Sequence, residues 1–330
     1  MEVVTRPEST QLRVDHPSAV HAATRAARDL AHCLGMPDVL AERAAVIAAE
    51  LAGNLCRHAE NGTVVVQPAL PGPGVDVLTA DAGPGMADVP HWMVDGNTTT
   101  ATLGTGLGAV RRMATAFHVH SEPGTGTRTA ARLLVPGTPS PATGHFCLPR
   151  DGEQACGDAI ALHPSGDGTT ALLVDGLGHG ADAAEAAEAA VEVFTRAPDR
   201  PLPEQLAAMH RMLTRTRGAA AALLRVRGEE VEFCGVGNVT AAVLAPGAPA
   251  QLLLSVPGIV GFRLPHTPVR QLRPTRRSTL VLHSDGVAPD WRDGTLGARP
   301  PLLLAAELLH RARDPRDDSS MLALTVDDAR

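Results

Sequence analysis

The stretch AELAGNLCRHAE, from Ala49 to Glu60, decides how the first third of the chain is interpreted. It places Glu50, Asn54 and His58 four residues apart, so the three side chains share one face of a helix. Asn is unfavourable inside a helix, because its side chain competes for backbone hydrogen bonds. An Asn oxygen suits Mg²⁺, and a Glu one turn away can polarise a water or a hydroxyl. The alternative is an ordinary polar face on a surface helix.

Two aspartates follow apolar runs and precede glycine-rich sequence, in ADAGPGM (Ala80–Met86) and in VDGLGHG (Val174–Gly180). An acid at a strand end beside flexible backbone can reach a phosphate, a metal or a purine. After the first of these stretches, LGTGLGAV (103–110) leads into a helix, whose N-terminus and free backbone N–H groups favour phosphate oxygens. It lacks the Lys-Ser/Thr end of a P-loop.

Composition bounds the class of protein. The chain has 330 residues, enough for two domains, and a net charge of −7, which argues against nucleic acid or an anionic membrane surface as the main partner. There is no lysine and no tyrosine. Five cysteines form no CxxC pair, which favours reduced thiols, and no apolar run approaches a membrane span. We therefore expect a cytoplasmic protein that binds neither nucleic acid nor membrane; its oligomeric state stays open.

The Pro/Gly/Ser/Thr-rich segment VPGTPSPATG (135–144) predicts a linker. We expect domains at 1–136 and 145–330, joined by residues 137–144. In the first domain, helices and strands alternate, with helices predicted over 17–35, 38–59 and 106–117 and Asp38 as a cap of the second. In the second, successive strands dominate, and helices are expected over 181–196, 202–215 and 301–313. The overall class is α/β (α+β), with a two-layer sandwich followed by packed sheets flanked by helices.

The ordered series E-x3-N-x3-H, DAGPGM, LGTGLGAV and SEPGTGT resembles the GHKL (Bergerat-fold) ATPases, in the branch of RsbT-like anti-sigma-factor serine kinases. The resemblance covers residues 8 to 135. It implies ATP and Mg²⁺ as cofactors, with the following roles. At the phosphate end, Asn54 binds Mg²⁺, Glu50 is the general base, and Gly104, Gly106 and Gly108 line the lid over the phosphates. At the adenine end, Asp81 accepts the amino group, Gly83 and Gly85 pass close to the base, and Thr127 lies near it. A basic residue near the γ-phosphate is expected at Arg111 or Arg112, and His58 is expected to pack or hydrogen-bond rather than bind a ligand.

In the second domain, acids end strands at Asp158, Asp175, Asp285 and Asp317/Asp318. Each alone is consistent with a turn residue, which is our interpretation of Asp167. Several carboxylates converging from separate strands are how an enzyme holds two Mg²⁺ or Mn²⁺ ions, which can activate water for attack on a phosphate ester.

This order resembles the metal-dependent PPM-type serine/threonine phosphatases of the SpoIIE- and RsbX-like branch, whose fold is an αββα sandwich, over residues 145 to 328. It implies that Asp175 bridges two Mg²⁺ or Mn²⁺ ions and that the Gly176 carbonyl binds one. It also implies that Asp285 and Asp317 complete the first metal, with Asp318 as the alternative, and that Asp158 serves the second. His179 is expected at a helix entry rather than at a metal.

Together, the two resemblances predict a bifunctional regulator, an ATP-dependent protein serine/threonine kinase fused to its opposing phosphatase. The expected partners are STAS-domain antagonist or scaffold proteins of a partner-switching stress pathway. The alternative is an ATP-gated binding or sequestering module, with little kinase turnover, fused to an active phosphatase.

Overall fold

The computed structural model describes residues 4–5, 9–93, 106–139, 142–275, 277–292, 296–297 and 299–326. The chain forms two compact units. The N-terminal unit comprises Glu8–Ser140 and Leu302–His310, and the C-terminal unit comprises Met1–Pro7, Pro141–Pro301 and Arg311–Arg330. Each unit therefore includes one short segment from the far end of the chain. No helix in the described ranges is long and apolar enough to cross a membrane.

The first strand, β1 (Val4–Thr5), belongs to the C-terminal unit. The N-terminal unit contains, in chain order, β2 (Thr10–Val14), α1 (Pro17–Cys33), α2 (Asp38–His58), β3 (Gly62–Pro68), β4 (Gly74–Ala80), α3 (Val89–Trp92), α4 (Gly106–Met113), β5 (Ala116–Glu122) and β6 (Gly126–Leu134). Its antiparallel sheet has the order β2-β3-β4-β6-β5.

The helices α1 and α2 pack on one face of this sheet. Ala23, Ala27 and Ala31 repeat every four residues along α1 and are fully buried, so they form one apolar stripe. They join Ile47 and Leu51 of α2 in a core that also includes valines of β3 and β4. The two-layer α/β sandwich predicted for this part of the chain is confirmed.

Two local predictions in this unit are wrong. The third helix does not reach Phe117, because it ends at Met113 and the chain then pairs with β6 as β5. Sheet pairing outweighs local helix propensity there. Asp38 does not cap α2, since Pro37 is the cap and Asp38 is the first helical residue. At that position its negative charge favours the helix dipole.

The C-terminal unit is built mainly of strands. Its elements are β7 (Thr143–Leu148), β8 (Asp158–Ser165), β9 (Gly168–Gly176), α5 (Ala181–Arg196), α6 (Leu202–Met212), β10 (Ala219–Arg227), β11 (Glu230–Val236), β12 (Thr240–Leu244), β13 (Gln251–Leu254), β14 (Arg270–Leu272), β15 (Thr279–His283) and, after α7 (Pro301–Arg311), β16 (Ser319–Thr325). Of α7, residues Leu302–His310 belong to the N-terminal unit.

Two sheets form the C-terminal unit, in the orders β1-β8-β9-β10-β11-β14 and β13-β12-β15-β16-β7. The helices α5 and α6 cover one face of the first sheet, where Ala186, Ala190 and Phe194 meet Ala161 and Leu172. The second sheet approaches the first through β7 and β16. The predicted sheet-on-sheet packing is confirmed. It brings the start of β8, the end of β9, the residues after β15 and the residues before β16 into one region.

Candidate functional sites

The N-terminal unit contains a cavity of about 610 Å³ between α2, the segment after β4, the start of α4 and strand β6. Six of the residues predicted for the ATP site line this cavity in the described part of the chain: Glu50, Asn54, Asp81, Gly85, Gly106 and Thr127. His58 lines it too, and burial lowers the pKa of its imidazole. The volume is within the range of small-molecule sites. The α2 face and the first Asp–Gly stretch are thus brought together around one space.

The other predicted residues lie elsewhere. The Gly83 N–H donates to Asp81 Oδ1 at 2.8 Å, so Gly83 supports the cavity from beneath. Gly108 is buried inside α4 and is not part of the lining. Arg111 and Arg112 lie in the last turn of α4, away from the described lining. Gly104 lies outside the described residues.

Asp81 is the acidic side chain at the base of this cavity and is 6% exposed. Burial raises the pKa of its carboxyl, while the backbone N–H bond from Gly83, a further backbone bond at Thr127 and the charge of Arg128 lower it. The Asp81 N–H also donates to the Thr127 carbonyl at 3.1 Å. Because these contacts fix the carboxylate, it is a rigid acceptor for a donor entering the cavity.

Gly85 is required by geometry. Its φ is +69°, and a Cβ at this position would lie 2.1 Å from the Glu122 carbonyl oxygen. Both facts exclude a side chain there. The glycine allows the segment after β4 to pass against the turn between β5 and β6, which brings Met86 into the cavity lining.

Two polar contacts of the cavity were not predicted. Arg57 Nη2 donates to Asn54 Oδ1 at 2.9 Å, so the amide oxygen already has a partner within its own helix. Ser121 Oγ accepts from the Met86 N–H at 2.7 Å and lies 2.8 Å from Thr127 Oγ1. The Arg57–Asn54 contact could have been predicted from the three-residue spacing on one helix. The contacts of Ser121 could not, because they depend on the register of β5 with β6.

The C-terminal unit gathers carboxylates from both of its sheets. Asp158 begins β8 and is the direct antiparallel partner of Asp175 on β9. Asp285 follows β15, and Asp317 precedes β16, the strand that pairs with β15. The four acids that the sequence places at strand ends are therefore brought into one region.

The electrostatics of these acids reflect their proximity. Burial raises the pKa of Asp175 well above its usual range, and the charges of Asp158, Asp285 and Asp317 raise it further. Burial also raises the pKa of Asp158 to about 7; the nearby hydroxyls of Ser284 and Ser320 oppose that shift, although neither makes a hydrogen bond of good geometry to the Asp158 oxygens. The pKa of Asp317 is raised by burial and by Asp285. Carboxylates that repel one another in this way favour a cation among them.

The donor set fits a cation. Neither carboxylate oxygen of Asp158 nor Asp175 Oδ2 has a hydrogen-bond partner in the described structure, although all three atoms are buried. Buried carboxylate oxygens without donors are costly unless a cation binds them. In the described part of the chain, no three Asp, Glu, His or Cys side chains converge closely enough to form a finished metal site. The acids thus lie in one region without adopting coordination geometry.

The adjacent acids Asp317 and Asp318 have different surroundings. Asp318 is 4% exposed, and its carboxylate accepts the backbone N–H groups of Arg150 at 2.9 Å and Gly157 at 2.8 Å. Asp317 accepts only the Asp318 N–H, at 2.9 Å, among the described contacts of its side chain. Asp318 therefore joins two backbone segments, while Asp317 keeps an oxygen available. The geometry favours Asp317 as the ligand.

Further contacts surround this site. Asn238 Nδ2 donates to Asp285 Oδ2 at 2.5 Å, a contact between distant loops that the sequence did not indicate. His179 Nδ1 lies 3.1 Å from Glu153 Oε1 at the entry of α5, where it was expected. The Gly176 N–H donates to the Gly157 carbonyl at 3.0 Å, which joins the ends of β8 and β9. Asp167 lies in the turn between β8 and β9, as predicted.

Comparisons with known proteins agree with both sites. Residues 14–133 match the family model of the histidine kinase-like ATPase domain. The serine/threonine-protein kinase RsbT of Bacillus subtilis (strain 168) is 35% identical over 112 residues, which are 33% of this chain and 84% of RsbT. The phosphoserine phosphatase RsbX of the same organism is 24% identical over 150 residues, 44% of this chain and 75% of RsbX.

A solved structure of RsbX in complex with magnesium superposes with a TM-score of 0.50 at 20% identity. The match covers 56% of this chain and 94% of that one. At this identity, the similarity establishes the fold. The chain therefore belongs to the RsbT-like family of histidine kinase-like ATPases, and its C-terminal unit has a fold similar to that of RsbX.

Proposed function

We propose that this protein is a bifunctional regulator that transfers the γ-phosphoryl group of ATP to a serine or threonine hydroxyl and hydrolyses the resulting phosphoester. The observation that carries the proposal is the presence of two chemically different acidic sites on one chain. One is a buried carboxylate, Asp81, fixed by backbone hydrogen bonds in a cavity of nucleotide size, and the other is a group of mutually repelling carboxylates. We assign the kinase activity to residues 1–136 and the phosphatase activity to residues 145–330.

In the first site, Asp81 accepts the adenine amino group, Gly83 and Gly85 let the backbone approach the base, and Thr127 completes that end. Asn54 holds the Mg²⁺, which neutralises charge on the phosphates when it is bound. Glu50 lies one turn from Asn54 on α2, also in the cavity lining, and takes the proton of the attacking hydroxyl. The helix that begins near Gly106 offers backbone N–H groups to the phosphates.

In the second site, Asp158, Asp175, Asp285 and Asp317, with the Gly176 carbonyl, hold two Mg²⁺ or Mn²⁺ ions. When bound, these ions lower the pKa of a water and polarise the phosphoester. Asn238 orients the Asp285 carboxylate. Asp318 fixes the backbone around Gly157 and binds no metal. The products are the free hydroxyl and inorganic phosphate, and the reaction forms no covalent bond to the protein.

We further propose STAS-domain proteins of a partner-switching stress pathway as the shared substrate. This rests on the RsbT and RsbX relatives. Because both activities occupy one chain, they reach the same phosphosite at equal copy number and at high effective concentration. The likeness to relatives supports the class of partner, and the site chemistry supports a phosphorylated hydroxyl as the group exchanged.

The test measures both half-reactions in full-length protein with purified STAS-domain proteins. Asn54→Ala and Glu50→Ala should each lower phosphoryl transfer by about 10²-fold or more, with dephosphorylation retained. Asp175→Asn should abolish metal-dependent dephosphorylation and let phosphoprotein accumulate. Glu42→Gln is the matched control, since Glu42 lies on the same helix and contacts exposed Arg28. Unchanged transfer in Asn54→Ala with Mg²⁺ present would refute the first site.

A second function has one observation in its favour. Because Asn54 Oδ1 accepts from Arg57, one of its two lone pairs is already engaged, and the guanidinium charge beside it disfavours a metal cation. An N-terminal unit that binds ATP and sequesters a partner, with little turnover, would retain this bond. Calorimetric titration with ATP followed by the transfer assay separates the two functions. Tight ATP binding without transfer to any STAS protein would favour sequestration, and Arg57→Leu should then leave partner binding unchanged.

A further inference from the structure

Helix α7 belongs to a different unit from its flanking sequence. Residues Leu302–His310 are part of the N-terminal unit, while the chain up to Pro301 and from Arg311 onward is part of the C-terminal unit. The family model of the ATPase domain ends at residue 133, so it does not include this helix. The N-terminal unit thus contains an element that the ATPase family match does not supply.

Glu307 makes a polar contact between α7 and the rest of its unit. Its carboxylate lies 2.7 Å from His120 Nδ1 and 3.6 Å from Arg128 Nε. The side chains are 3% exposed for Glu307, 19% for His120 and 7% for Arg128. An ion pair buried to this degree holds its partners in place far more firmly than a surface pair, because breaking it leaves a charge without compensation.

The two partners of Glu307 form one rung of the β5–β6 hairpin. His120 and Arg128 are directly opposite each other in the antiparallel register. The next rung is Ser121 and Thr127, whose side chains point to the other face because strand residues alternate. Thr127 lines the cavity, and Ser121 holds the Met86 N–H. Glu307 therefore acts on the back of the strand pair whose front forms part of the cavity wall.

The chain on either side of α7 returns to the carboxylate site. Residues 286–288 pair with 312–314, through Ala288 N to Ala312 O at 2.7 Å and Asp314 N to Gly286 O at 2.8 Å. Asp285 lies immediately before this pairing, and Asp317 follows it closely. The helix that carries Glu307 is thus inserted in sequence between two of the acids that we assign to metal binding.

From these observations we infer that Glu307 is a positioning residue for the nucleotide cavity, and that α7 couples nucleotide occupancy to phosphatase activity. Binding that tightens the β5–β6 hairpin favours the paired state of Glu307. The paired segments on either side of α7 lead directly to Asp285 and Asp317, so a displacement of α7 acts on the carboxylate site. Such coupling is reciprocal for binding at the two sites, because it is a free energy that they share. The inference rests on the proposed function of both sites.

The experiment uses full-length protein, a non-hydrolysable ATP analogue and p-nitrophenyl phosphate with Mn²⁺. In wild-type protein, saturating analogue should change kcat for hydrolysis by about threefold or more, within the usual range of allosteric coupling. In Glu307→Gln, the ratio of kcat with and without analogue should fall to about one, and the Kd for the analogue should rise about tenfold, or about 1.4 kcal/mol. Glu42→Gln, whose side chain contacts neither site, should retain wild-type values of both quantities.

His120→Gln removes the strand partner of Glu307, and it replaces Glu307→Gln in the test if that variant does not fold. It should lose the nucleotide effect as well, and the double variant should add little to either single change. A purely structural role would lower stability yet leave the kcat ratio at the wild-type value, which overturns the inference. If wild-type protein binds the analogue and hydrolyses p-nitrophenyl phosphate, but the analogue does not change kcat, the inference is also overturned, while the proposed function stands. No nucleotide binding at all would overturn both.

Discussion

The adjacent acids Asp317 and Asp318 should respond oppositely to the same substitution. Asp318→Asn replaces one carboxylate oxygen by an NH₂ group, which then faces a backbone N–H of Arg150 or Gly157. One charge-assisted hydrogen bond is lost, at about 1.5–3 kcal/mol, and one buried N–H is left without an acceptor, at about 1–3 kcal/mol. We expect a loss of about 3 kcal/mol or more in the free energy of unfolding.

Asp317→Asn should leave the free energy of unfolding nearly unchanged. Its carboxylate is raised in pKa by burial and by Asp285, so removing the charge relieves repulsion in the metal-free protein. We expect stability within about 0.5 kcal/mol of wild type, or slightly higher, because most surface substitutions fall in that range. Phosphatase activity should nonetheless be lost, because we propose Asp317 as a metal ligand.

The assay is urea unfolding of the full chain, followed by the fluorescence of Trp291 in a Trp92→Phe background. Trp291 is buried in the C-terminal unit, and Trp92 is the other tryptophan of the chain. With a slope of about 2 kcal/mol/M, the loss expected for Asp318→Asn lowers the midpoint by about 1.5 M. An unchanged midpoint in Asp318→Asn, together with a lowered midpoint in Asp317→Asn, would refute the assignment of structural and ligand roles.

Three further outcomes are expected. Gly85→Ala should lower the free energy of unfolding by more than about 3 kcal/mol, because both the φ of Gly85 and its contact distance exclude a Cβ. Gly35 has a similar φ of +67° but no atom within 4 Å of the position that a Cβ would take, so Gly35→Ala should lower it by only about 1 kcal/mol, as measured by thermal unfolding. Arg132→Gln removes the buried partner of Asp76 at 2.7 Å. Burial raises the pKa of Asp76 and Arg132 opposes that shift, so the variant has a still higher Asp76 pKa. A raised carboxyl pKa gives stability below the unfolded-state value that is lost as the pH rises, so the variant should fall increasingly below wild type above about pH 4, and a constant difference would contradict this. Asn238→Ala should lower phosphatase kcat/KM by about 10–100-fold without changing nucleotide affinity.

Much of the local structure follows from periodic patterns within short windows. The helix Ala181–Arg196 has the bounds that the sequence predicted. The end of α4 could not be predicted, because Ala116 and Phe117 fit a helix until β6 supplies a strand partner. Ser121 and Asn238 were missed for the same reason, since their roles depend on partners six and 47 residues away.

The sequence by itself determined the kinds of chemistry present and their order along the chain. Asp81 and Asp175 both follow apolar strands and precede glycines, and their flanking residues already separate the proposed nucleotide site from the proposed metal site. The family resemblance already preferred Asp317 to Asp318, and the tertiary structure supplied a physical difference between them, which lies in the backbone N–H groups that each carboxylate meets. Only the tertiary structure placed Glu307 behind the cavity wall. A helix with an apolar pattern can bury its face in either unit, and the choice depends on a partner such as the His120–Arg128 rung, far away in sequence.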